Sequence, residues 1–76
     1  MKHTGAAWNN IASRLWDLSM QLPVQDGQPY AELHFNIMDT IESRSATANI
    51  TINLTDDEET MVSLALAMPE GAIRGA

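Results

Sequence analysis

The 76-residue chain predicts one small α+β domain: a two-layer helix–β-hairpin–helix (αββα), with both helices on one face of an antiparallel hairpin. Three observations predict it. Apolar residues recur at steps of three and four over residues 5 to 22 and again over residues 56 to 68. They alternate with polar residues over residues 30 to 38 and 47 to 54. Prolines, glycines and a helix-capping sequence punctuate the stretches between.

In the first segment Trp8, Ile11, Ala12, Leu15, Leu18 and Leu22 carry the helical period. At about 100° per residue they make one stripe about 120° wide, the width of a helix packed on a core. Asn10, Arg14, Asp17 and Gln21 lie opposite. Pro23 ends the helix, because it lacks an N–H and disfavours helical geometry in the residue before it. Trp16 falls on the flank of the stripe and Met20 further round. Both widen the apolar surface beyond what one sheet face needs.

Residues 23 to 29 read as a connection, with Asp26-Gly27 as a turn signal and Pro29 at its exit. From residue 30 to 38, Ala31, Leu33, Phe35 and Ile37 face one way, and Glu32, His34 and Asn36 the other. Ile41 keeps this phase, so the strand extends to about residue 42 on one reading. Asp39 would then sit on the apolar side, which implies a bulge or an earlier end. A turn over Ser43 to Ala46 leads to the second strand, 47 to 54, where Ala48, Ile50, Ile52 and Leu54 alternate with Thr and Asn. Asn49 and Asn53 begin Asn-x-Thr sequences and are read as strand residues.

The last helix has the clearest start signal. Thr55-Asp56-Asp57-Glu58 is a capping box, and the acids Asp56 to Glu59 complement the positive end of the helix dipole. Met61, Val62, Leu64, Ala65 and Met68 form its apolar side. Pro69 and Gly71 end it, and residues 69 to 76 read as a tail.

Composition bounds the function. Net charge is −6, and the four cations Lys2, Arg14, Arg44 and Arg74 are scattered. Nucleic acid and anionic membranes need clustered cations, so neither is an expected partner. No cysteine is present, which removes disulfides and thiolate metal sites. A two-stranded sheet in so short a chain is marginal alone and has open edges. A homodimer is therefore expected, through a four-stranded sheet shared by two copies or through the Trp16 helix face. No secretory signal or membrane span is visible, and the expected location is the cytoplasm.

Catalytic motifs are not found. His34 with Glu32 on one strand face is the nearest approach to a metal or acid–base site, short of the three or four ligands zinc needs. The acids Asp56 to Glu59 lack calcium-loop spacing. No cofactor is expected. In general character the chain is similar to small accessory proteins of phages, prophages and mobile elements, a resemblance of type that transfers no residues. The expected function is non-enzymatic: a protein-binding modulator or inhibitor docking on a basic surface of a larger protein, nucleic-acid-handling proteins included. Its candidate contacts are Trp16 and Met20 with the acids Asp17, Glu32, Asp39, Glu42, Asp56, Asp57, Glu58 and Glu59. The alternative is a self-associating assembly module, and behind it a small hydrolase or metal protein using His34.

Overall fold

Of the six residues of the predicted stripe, Trp8, Ile11, Ala12 and Leu15 are the ones the rest of the chain is arranged around. In a computed structural model, which describes residues 1–67, all four are buried; Leu18 is half-buried and Leu22 lies just past the helix end. The element order is β1 (Lys2–Thr4), α1 (Gly5–Gln21), α2 (Val24–Ile41), β2 (Asn49–Thr51) and α3 (Asp56–Ala67). The class is α+β, with three helices and one small antiparallel sheet among the described residues.

The first helix starts where Thr4 can cap it: the Thr4 hydroxyl accepts from the Ala7 N–H at 3.1 Å. The N–H groups of Gly5 and Ala6 donate to the carbonyls of Ala48 and Ala46, both at 3.0 Å. A helix start would otherwise leave these donors unpaired. Gly5 permits this approach, since a Cβ there would stand 2.5 Å from the Ser45 carbonyl oxygen.

The segment expected to be a strand at 30 to 38 is helical, and so is the expected connection at 23 to 29. Both belong to α2. The reason lies in the periods. Leu33 and Ile37 are four apart, a step shared by two-fold alternation and by the helix. The buried set decides between them. Leu33, Ile37 and Ile41 are buried, with Tyr30 and Met38 packed beside them. Ala31 and Phe35, which the alternation assigned to the same face, point away, and Phe35 is 59% exposed. Asp39, an anomaly on the strand, is an ordinary exposed helix residue. Local composition agrees, as Ala31, Glu32, Leu33 and Met38 favour helices and Ile37 is the one β-branched residue between 30 and 38.

Pro23 does stop α1, and it also caps α2. The Pro23 carbonyl accepts the Gly27 N–H at 2.8 Å, closing the first turn. Gly27 is not a turn residue but a contact point: a Cβ there would run into the Ser19 carbonyl group of α1. Pro29 lies within α2 and removes one N–H from its ladder. Ser19 opposes Gly27 and Ala12 opposes His34, so α1 and α2 run antiparallel.

The second strand is real but short, and its partner is not the segment before it. Lys2, His3 and Thr4 pair with Thr51, Ile50 and Asn49. The Met1 nitrogen donates to the Ile52 carbonyl at 3.0 Å, and the Ile52 N–H donates back to the Met1 carbonyl at 2.9 Å. The sheet thus joins two segments separated by the whole α1–α2 hairpin. The buried Trp8 indole donates to the Ile50 carbonyl at 2.8 Å, fastening β2 to α1.

The capping box of α3 forms as the sequence predicts. Glu58 N–H donates to the Thr55 hydroxyl at 3.1 Å, and Thr55 N–H donates to the Glu58 carboxylate at 2.9 Å. Val62 and Ala65 bury against α1, whereas Leu64 is exposed rather than packed. Met68 and the tail from residue 69 lie outside the described residues.

A candidate aromatic interface

The solvent-facing side of the α1–α2 pair carries a cluster of rings. Trp16 comes from α1; His34 and Phe35 come from α2. Ring centroids are 5.2 Å apart for Trp16–His34, 5.6 Å for Trp16–Phe35 and 5.0 Å for His34–Phe35. The rings are inclined by 43°, 72° and 75° respectively, so they form corners rather than a stack. Large areas remain in contact with solvent: Trp16 is 38% exposed and Phe35 59%. Met20, one turn beyond Trp16, is 68% exposed.

His34 fixes the cluster to the helix pair. Its Nδ1 lies 2.7 Å from the Ala12 carbonyl oxygen. A carbonyl only accepts, so Nδ1 carries the proton in this bond. The pairing of His34 with Glu32 on one strand face does not survive, because residues two apart on a helix do not face each other. Among the described residues no three His, Asp or Glu side chains come together as metal ligands.

The acidic candidates divide into three places. Asp17 lines a cleft of about 220 Å³ with Ser13, Trp16, His34 and Phe35. Glu32 and Asp39 are exposed on α2, three residues before and four after Phe35, the spacings that put side chains next to one another on a helix. Glu42 lies away from this cluster, beside Arg44 and Met38 in a wider open groove of about 490 Å³. Its two opposite charges give that groove no dominant sign. Asp56, Asp57, Glu58 and Glu59 occupy the first turn of α3, where Glu58 serves as a cap.

Phe35 and His34 are the residues that the alternating pattern misplaced, one into the core and one onto a bare sheet face. A helical reading of residues 30 to 41, with Leu33, Ile37 and Ile41 buried and Tyr30 packed beside them, leaves both off the buried stripe; their contact with Trp16 is decided by the packing of α2 on α1. No helix among the described residues is long and apolar enough to cross a membrane. Comparison with protein-family models, with curated proteins and with solved structures finds no match to this chain.

Proposed function

We propose that this protein acts by contact rather than by chemistry, as a modulator or inhibitor that docks on a basic surface of a larger protein. The observation that carries the reading is the exposed Trp16–Phe35 pair with Met20 beside it, bordered by Asp17, Glu32 and Asp39. Aromatic and methionine side chains are enriched at the cores of protein interfaces, and Trp is among the residues enriched at hot spots. A border of one charge sign selects a partner of the other and speeds encounter. The net charge of −6 acts in the same direction at longer range.

The test is affinity co-purification from the native host with the tagged chain. The expected result is a basic protein retained by the wild type, released by added salt and lost with the Trp16→Ala/Phe35→Ala double variant. A partner retained equally by the double variant would overturn the reading. Self-association is the second reading, favoured by Leu64 and Leu66, 50% and 44% exposed on α3. Sedimentation over a wide concentration range tests it, and an unchanging monomer counts against it.

A further inference from the structure

The cleft between α1 and α2 narrows what can enter it. Two of its walls are the Trp16 and Phe35 rings, inclined by 72°, with His34 against both. Ring faces carry partial negative charge and attract cations. Asp17 and Ser13 complete the lining. An apolar group entering here would cover the rings but offer nothing to the carboxylate of Asp17. An anion would meet the same carboxylate and a chain of net charge −6. A cation with a flat apolar face satisfies both kinds of wall.

Guanidinium fits this description better than ammonium. It is planar, weakly hydrated, and stacks on aromatic rings while its edge donates to a carboxylate. A carboxylate offers about four acceptor positions, so Asp17 can serve its own neighbours and a guanidinium together. Glu32 and Asp39 lie on either side of Phe35 along α2 and extend the negative field outward. A second copy of this chain is a poor occupant. A two-fold contact through this face would set each acidic border against its own image.

We propose that the cleft is a receptor for one arginine side chain, presented by the basic partner inferred above. Its guanidinium packs in the Trp16–Phe35 corner and donates to Asp17. The inference rests on the docking reading, yet the two can fail separately.

The experiment is a titration of the isotope-labelled protein with a short capped peptide holding a single arginine, followed by NMR. Matched peptides carry lysine or citrulline in its place. The two indole N–H signals make the assay specific, because Trp8 is buried and hydrogen-bonded and Trp16 is in the cleft. The expected result is a saturable shift of the Trp16 indole and Phe35 ring signals by the arginine peptide, with the Trp8 indole unmoved. Lysine should act several-fold more weakly, and citrulline should have no effect. Asp17→Asn should weaken the arginine response about tenfold while leaving the Trp8 signal, and hence the fold, in place. Equal shifts from arginine and citrulline, or an arginine response elsewhere on the surface, would overturn the proposal. So would Trp16 signals that move on dilution without peptide, since a second copy would then fill the cleft. If the partner is captured through Trp16 and Phe35 but is indifferent to Asp17→Asn, the arginine receptor fails and the docking reading stands. If the partner ignores both rings, the docking reading fails, and the peptide titration still decides the cleft.

Discussion

Trp8 and Trp16 stand eight residues apart on α1, a spacing that turns the second about 80° from the first. Trp8 is fully buried, with its indole bonded to Ile50 and its ring edge-on to His3 at 5.0 Å. It joins the first helix to the sheet. Trp16 meets α2 through His34 and Phe35 and keeps 38% of its surface in solvent. One residue type on one helix thus builds the core at one end and stays partly exposed at the other. What lies opposite each ring makes the difference. Beside Trp8, β1 and β2 close the space; beside Trp16, α2 offers two more rings and, among the described residues, no covering layer.

The largest expected effect is at the buried end. Trp8→Ala should cost about 3–5 kcal/mol, as removal of a buried aromatic usually does. Small domains have only about 5–15 kcal/mol in total, so this variant should be close to unfolded in urea titrations. In the wild type, the Trp8 indole proton should exchange far more slowly than that of Trp16. Equal exchange rates would break the comparison at once.

Gly27→Ala should come next. It tests whether α1 and α2 must approach as closely as the Trp16 cluster requires. The added methyl meets backbone of Ser19, which cannot rotate away, so a loss of about 1–3 kcal/mol is expected from thermal or urea melts. A neutral Gly27→Ala would mean that the two helices have slack between them.

Trp16→Ala should cost less than Trp8→Ala, about 1 kcal/mol, chiefly its ring contacts with His34 and Phe35. Its large effect should be on partner capture. A stability loss equal to that of Trp8→Ala would reassign Trp16 to the core. Thr55→Ala, which touches neither tryptophan, should remove about 1 kcal/mol or less through the lost cap. It should leave partner capture unchanged, and it serves as the control for a purely structural loss.

Two of the three helices among the described residues are legible in outline. The α1 stripe has no competing period, and the Thr55–Glu58 cap is a local bond set that needs no tertiary partner. α2 is not legible by alternation, because steps of two and four coincide at Leu33 and Ile37. Tyr30 and Met38, which break the alternation yet pack against the core, are the residues that separate the two periods. Alternation separates Phe35 and His34 from Trp16 and sets His34 beside Glu32, whereas α2 brings the three rings together. The positions of Trp16, Met20 and Asp17 follow from the α1 period alone.

The sequence by itself determined the first helix, its flanking Trp16 and Met20, the charge of −6 and the start of α3. All of these rest on contacts within a few residues or on a sum over the chain. Only the tertiary structure decided that β2 pairs with Lys2–Thr4 and that residues 24 to 41 are helical. Strand pairing links segments far apart in sequence, and no local pattern names the partner. The helical state of α2 is selected by burial against α1, through the close approach at Gly27 and the bond from His34 to Ala12. That same packing places three rings and a carboxylate around one cleft, which no spacing in the sequence records.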